Sequence, residues 1–243
     1  MKVLLSLKTG RTYYYNENGD YHCKEGSFTE KELKSENNRL TSNKGTEFLI
    51  SDSNLYDKAQ KIKRGPQILI TKDLGYILAR AGIDKNSTIL EAGGGSGAAT
   101  CFFARFVKKV LTYEIRKDHC DIIEKNINNF GLKNVKLINK NLADDIEKLS
   151  ADFVFLDMPE PIEVLEKKLS KIASGSLICC YLPSITQISN LIQFINENKK
   201  DELYTEEISE IIHREWKINS RVARPNHQKE TDHTAFLVFL RKI

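Results

Sequence analysis

The sequence predicts an α/β protein, a mostly parallel sheet with helices on its faces, preceded by a small β domain. Three observations carry this. Apolar β-type runs alternate with helix-length stretches between residues 88 and 198. A glycine cluster falls between the first of those runs and the helical stretch that follows it. The first 64 residues instead hold short β-type runs and turn formers. Strands alternating with helices make a parallel sheet whose ligands lie beyond the carboxyl ends of the strands.

In chain order, Val3–Leu7, Thr12–Tyr15 and Thr46–Ile50 read as strands, and Asn16-Glu17-Asn18-Gly19-Asp20 is a hairpin turn signal. These define an expected β domain over 1–64. Residues 54–65, with Lys58, Lys61, Lys63 and Arg64, read as its link to a second domain over 65–243. In that domain Thr88–Ala92 is a buried strand, and 98–108 is a helix with Cys101, Phe102, Phe103, Phe106 and Val107 as its apolar face. Val110–Glu114 is a second strand, and 117–130 is a helix ended by Gly131. Val135–Ile138, Phe153–Asp157 and Leu177–Leu182 are three more strands. Residues 184–198 read as helix, then Trp216–Arg221 and Thr234–Leu240 as strands, with Trp216 expected in the core.

The 243 residues are 29% charged and 40% hydrophobic, which excludes a mostly disordered chain. No stretch approaches the roughly 18 apolar residues of a membrane span, and the apolar run at Met1–Lys8 is too short for a signal peptide. The five cysteines, at 23, 101, 120, 179 and 180, are odd in number and form no CxxC. A disulfide framework and a metal site are therefore not expected, and a reducing cytoplasm is. Charge is uneven: 12 Lys/Arg against 9 Asp/Glu over 1–64, 18 against 21 over 65–210, and 7 against 3 over 211–243. Basic ends can grip phosphates, or be no more than solvated faces.

The glycine cluster, Glu91-Ala92-Gly93-Gly94-Gly95-Ser96-Gly97, leaves a strand and opens a helix. Such a loop lets a ligand lie against backbone. Gly93-x-Gly95-x-x-Ala98 fits the relaxed dinucleotide pattern, and the whole run also fits the ExGxGxG loop of S-adenosylmethionine enzymes. Three acids favour the second reading. Glu91 stands where it can attract the amino group of a methionine moiety. Glu114 ends the next strand, 19 residues after Gly95, and can accept from ribose hydroxyls, a feature that suits NAD equally. Asp157, in Leu156-Asp157-Met158-Pro159, closes the fourth strand beside the loop, where a polar group would orient an accepting nitrogen.

From about residue 60 onward the chain resembles the tRNA adenine-N1 methyltransferases, which modify adenine 58 of the T-loop and, in archaeal members, adenine 57. The resemblance rests on Arg64-Gly65-Pro66-Gln67 with Lys72-Asp73, the loop Glu91–Gly97, and Tyr113-Glu114-Ile115-Arg116. It continues through Leu156–Pro161, Tyr181-Leu182-Pro183 with Gln187, Arg224-Pro225 and His233–Leu237. Ile70-Thr71 stand where that family usually has Tyr-Pro, Gly94 where it commonly has Thr, and Asn141 where it more often has an acid.

The resemblance implies a Rossmann-like class I methyltransferase and S-adenosylmethionine as cofactor. It implies cofactor contacts at Ser96, Gly97, Ala98, Ala99, Glu114, His119, Asn141, Leu142 and Asp157, beside the loop glycines Gly93 and Gly95. Asp157 is the expected catalytic carboxylate and Tyr181 the expected aromatic against the target adenine. Neutral adenine N1 carries a lone pair, so the expected reaction is an in-line methyl displacement needing no prior base and no metal. The target base lies inside folded tRNA and must be turned out. Arg214, Lys217, Arg221, Arg224 and the N-terminal domain are the expected phosphate grips. A homotetramer is also implied. Three other readings share these residues: an NAD-linked oxidoreductase, a methyltransferase for another substrate, and a non-catalytic tRNA-binding partner.

Overall fold

The computed structural model describes residues 1–16, 18–62, 69–144, 151–226 and 233–243. Lys63 and the Arg64-Gly65-Pro66-Gln67 piece of the sequence pattern lie outside the described residues. The chain divides into two compact units, Met1–Lys61 and Ile62–Ile243.

The first unit holds β1 (Lys2–Ser6), β2 (Thr12–Tyr15), β3 (Tyr21–Cys23), β4 (Gly26–Phe28), α1 (Glu30–Leu33), β5 (Arg39–Thr41), β6 (Glu47–Asp52) and α2 (Leu55–Gln60). Its main sheet is antiparallel in the order β2-β1-β6-β5. Leu4, Tyr15, Phe28, Leu33, Phe48 and Ile50 form its core, with Phe28 edge-on to Phe48. Each such side chain contributes about 1.5–3 kcal/mol by leaving water. The Asn16–Asp20 run joins β2 to β3, and these two strands pair elsewhere, β2 with β1 and β3 with β4. The tight hairpins are those of β1 with β2 and β3 with β4. Part of the expected link is helical: Asn54 and Asp57 form a reciprocal cap that starts α2.

The second unit holds α3 (Thr71–Ala81), β7 (Thr88–Ala92), α4 (Ala98–Phe103), β8 (Lys109–Tyr113), α5 (Lys117–Phe130), β9 (Val135–Ile138), β10 (Phe153–Leu156) and α6 (Pro161–Lys168). It continues with β11 (Leu177–Leu182), α7 (Ile185–Phe194), β12 (Leu203–Glu210), β13 (Trp216–Asn219), β14 (Val222–Pro225) and β15 (Phe236–Lys242). The seven-stranded sheet runs β12-β15-β11-β10-β7-β8-β9. The five strands from β11 to β9 are mutually parallel, and β15 runs antiparallel between β11 and β12. This is the Rossmann-like methyltransferase arrangement.

Alternation along the central strands builds two cores. Phe153 and Phe155 of β10 pack with Leu74 and Ile77 of α3 and Phe103 of α4. Val154 and Leu156 point the other way, toward Val164 and Leu165 of α6 and Leu191 of α7. The chain leaves β7 for β8 and β9, then returns to the other side of β7 with β10. That reversal opens a crevice above the carboxyl ends of β7 and β10.

Several elements differ from the sequence reading. The helix from 98 stops at Phe103, because Asn134 donates to the carbonyls of Ala104 and Val107 (2.8 and 2.9 Å) and holds the chain in turns there. Beyond Phe194 the last helix continues as a π turn over Ile195–Lys199. Trp216 is 54% exposed rather than in the core, on an isolated β13–β14 hairpin.

Candidate functional site

Five parallel strands deliver the sequence-predicted site residues to one edge of the sheet. The glycine loop follows β7, Glu114 follows β8, Asn141 lies just beyond β9, Asp157 follows β10, and Tyr181 stands near the end of β11.

The N–H groups of Gly93 and Gly94 both donate to the Tyr113 carbonyl, at 3.0 and 3.2 Å, folding the loop back over β8. Gly93 has φ +88°, and a β-carbon there would stand 1.8 Å from the Asp157 carbonyl oxygen. A β-carbon at Gly94 would come within 2.7 Å of Thr112 and 2.8 Å of Ile123. A side chain at position 94 would have to displace the ends of the Thr112 and Ile123 side chains. Gly97, at φ +76°, opens α4. Ser96, Ala98 and Ala99 are buried at this turn, and the Ser96 carbonyl accepts from the Asn126 amide at 2.8 Å.

Glu114 holds the loop from the side. Its carboxylate accepts from the Gly95 N–H (Oε2, 2.8 Å) and the Arg116 N–H (Oε1, 2.8 Å). A carboxylate has about four lone-pair sites, so two bonds leave room for hydroxyl donors. His119, in the first turn of α5, brings Nδ1 to 3.6 Å from Glu114 Oε2. Asn141 accepts from the Ala143 N–H at 3.0 Å and so starts a 3-10 helix whose first residue is Leu142.

Glu91 is only 1% exposed. It accepts from the hydroxyls of Thr100 (2.5 Å) and Thr112 (2.9 Å), which pins β7 to α4 and β8 beneath the loop. Burial pushes its carboxyl up to about 7. The described geometry makes it a structural support of the loop, enclosed by threonines rather than facing a ligand's amino group.

Asp157 has a different setting. Its N–H extends the β7–β10 ladder to the Ala92 carbonyl (2.9 Å). Its side chain lines a cavity of about 170 Å³ with Leu69, Met158, Pro159, Tyr181, Pro183 and Gln187. Burial first, then the carboxylates of Glu91 and Glu114, raise the Asp157 carboxyl to about 7. Tyr181 lines the same cavity. It is 6% exposed, its ring meets Phe155 edge-on, and its hydroxyl donates to Asp73 at 3.0 Å. Burial raises the pKa of that hydroxyl. Gln187 closes the rim by donating to the Pro159 carbonyl at 3.3 Å.

Sequence reasoning assigned no role to the groups behind the wall. Asp73, Lys72 and Thr234 entered only as parts of a pattern, although Asp73 holds the Tyr181 hydroxyl from 108 positions away. The burial of Asp73 is itself set by the fold, so nothing local in the sequence marks it, and only tertiary structure supplies its partner.

Positions 93 and 94 hold the loop tight against the neighbouring chain, and Glu114 beside it retains acceptor capacity for a ligand's hydroxyls. Asp157, whose carbonyl packs on the loop at Gly93, also lines the neighbouring cavity. The chemistry available is therefore positioning of two reactants beside a carboxylate that titrates near neutrality.

A family model described as "tRNA methyltransferase complex GCD14 subunit" matches residues 55–235. The chain is 30% identical over 249 residues to tRNA (adenine(58)-N(1))-methyltransferase TrmI of Thermus thermophilus, covering 99% of this chain and 96% of that one. It is 28% identical to the tRNA (adenine(57)-N(1)/adenine(58)-N(1))-methyltransferase TrmI of Methanocaldococcus jannaschii, covering 98% and 94%. The crystal structure of tRNA (m1A58) methyltransferase TrmI from Aquifex aeolicus superposes with a TM-score of 0.86 at 26% identity, over 100% of this chain and 96% of that one. These relatives are methyltransferases, not the nicotinamide-linked oxidoreductases whose loop pattern the sequence also admits. The chain belongs to the GCD14 family of tRNA (adenine-N1)-methyltransferases.

Proposed function

We propose that this protein methylates N1 of adenine 58 in the T-loop of tRNA with S-adenosylmethionine as methyl donor, adenine 57 being the second position to map. One observation carries the reading: Asp157 joins the glycine loop to the cavity, with its carbonyl packed on Gly93 and the residue lining the cavity beside it. When bound, the cofactor supplies a methyl group made electrophilic by a sulfonium.

The residues that would hold it are the backbone of Gly93, Gly95, Ser96 and Gly97 with the first turn at Ala98 and Ala99, the Glu114 carboxylate toward ribose hydroxyls, and His119 beside it. Asn141 and the backbone of Leu142 would meet the adenine edge. Asp157 would accept a hydrogen bond from the N6 amino group of the target adenine, orienting N1 and stabilising the positive charge the base acquires. Tyr181 would bound the base on its other side. No proton is removed from N1 before reaction, so the site needs no general base there.

The folded tRNA must be gripped away from the site. Lys217 and Arg224 face each other across the β13–β14 hairpin, and with Arg214 and Arg221 they are exposed. Like charges directly opposite on a hairpin are unfavourable on their own, and a phosphate between them would reverse that. The first unit, over 1–64 as read from sequence, is assigned to tRNA or subunit contacts, and the assembly to a homotetramer. All five cysteines are free thiols, four of them buried, which supports a cytoplasmic setting.

The test is incubation with labelled S-adenosylmethionine and unmodified tRNA transcript, followed by digestion and mass spectrometry. Methylated adenine at 58, with or without 57, is the expected product, and absence of label in tRNA would overturn the proposal. A thermal shift with S-adenosylmethionine and none with NAD would separate it from the oxidoreductase reading.

A further inference from the structure

Behind the cavity wall lies a buried ion pair that the chemistry above does not use. Asp73, in the first turn of α3, is 0% exposed. Its Oδ1 accepts from the Lys72 ammonium at 2.9 Å, and its Oδ2 accepts from the Thr234 hydroxyl (2.7 Å) and the Tyr181 hydroxyl (3.0 Å). Lys72 also donates to the Thr234 hydroxyl at 2.8 Å and to the Ile211 carbonyl. The three ammonium protons thus meet three acceptors, and the Asp73 carboxylate meets three donors.

This network joins α3, the end of β11, the residue after β12 and the segment leading into β15. A buried ion pair gives little net stability compared with apolar packing of the same volume. It does fix geometry, because each polar group is costly to move from its partner. The group fixed here is the Tyr181 hydroxyl, whose single proton goes to Asp73 at the same sheet level as Asp157: Leu156 pairs with Cys180, so Asp157 and Tyr181 follow on adjacent parallel strands.

We infer that the Lys72–Asp73 pair, with Thr234, is a positioning device that sets the Tyr181 ring in the cavity wall facing Asp157, and so governs turnover of the base rather than binding of the methyl donor. This deepens the function proposed above and rests on it. Asp73 acts through the tyrosine and does not touch the reacting atoms.

The experiment is a double-mutant cycle with Asp73→Asn, Tyr181→Phe and the double variant, measuring kcat and KM for tRNA and calorimetric affinity for S-adenosylmethionine. Tyr181→Phe keeps the ring and removes its tether. Losing one hydrogen bond to a charged group should lower kcat about tenfold or more, with donor affinity within twofold of wild type. Asp73→Asn should lower kcat in the wild-type background and add little in the Tyr181→Phe background. Additive effects on kcat, or a matching loss of donor affinity in Asp73→Asn, would overturn the inference and leave the pair purely structural. If Asp73→Asn does not fold, Tyr181→Phe decides alone, and an unchanged kcat overturns it. Failure of the underlying function looks different: the wild-type protein would then leave tRNA unmethylated.

Discussion

The main-chain oxygen of Asp157 occupies the space that a side chain at Gly93 would need, 1.8 Å from an ideal β-carbon position. The residue after β10 and the residue after β7 are thereby packed tightly together. Gly93→Ala must push the two apart and also strain a backbone at φ +88°. Each effect costs about 1–3 kcal/mol. A melting temperature several degrees lower and loss of S-adenosylmethionine binding by calorimetry are expected. A variant with wild-type stability and affinity would show that the loop yields where it is drawn tight.

Asp157 makes no side-chain hydrogen bond among the described residues, so its replacement should not cost stability. Asp157→Ala should keep or raise the melting temperature, since it removes a carboxyl lifted to about 7 by burial and by Glu91 and Glu114. It should lower kcat by about 100-fold or more, the usual loss when a preorganised group facing developing charge is removed. Wild-type kcat/KM should rise with pH through about 7 as this carboxyl ionises, and Asp157→Asn should lack that limb. Near wild-type turnover of tRNA by Asp157→Ala would exclude the role.

Much of this framework was legible in the sequence because it is written in local patterns. Apolar runs at 88–92, 153–156 and 177–182 are buried on both faces and read as strands without context. Gly131 ends α5 in the left-handed conformation that a glycine after a helix announces. The edge strand β12 was not legible. Its sequence, Leu203–Glu210, carries three glutamates and only two aliphatic residues, and its place is set by pairing with β15 and by Arg80 and Arg241 bonding to Glu206 and Glu207. The polar support of Tyr181 was hidden for the same reason: Asp73 and Thr234 are brought to it by tertiary folding alone.

Glu91 gives the apo protein a distinctive pH response. Its carboxyl is raised from 4.5 to about 7 in the folded chain. The folded state therefore holds a proton the unfolded state has already released. The contribution is complete below about pH 4.5 and is lost as pH rises through about 7, a loss of about 3 kcal/mol for a fully buried group. Glu91→Gln keeps an acceptor for Thr100 and Thr112 and cannot ionise. The melting temperature of Glu91→Gln relative to wild type should climb between pH 5 and pH 8, and parallel profiles would show that Glu91 stays ionised throughout.

The β13–β14 hairpin should determine the salt dependence of tRNA binding. Lys217 and Arg224 sit opposite each other on a two-stranded sheet separate from the seven-stranded one. Each phosphate contact releases counterions, so log affinity falls with log salt by roughly 0.7–0.9 per contact. Lys217→Ala and Arg224→Ala should each weaken tRNA binding and flatten that slope by about one contact, while calorimetric affinity for S-adenosylmethionine stays unchanged. Filter binding between 50 and 200 mM salt (about 10³-fold in affinity for six contacts) resolves such a difference. An unaltered slope in both variants would move the phosphate grip elsewhere, the first unit being the next place to search.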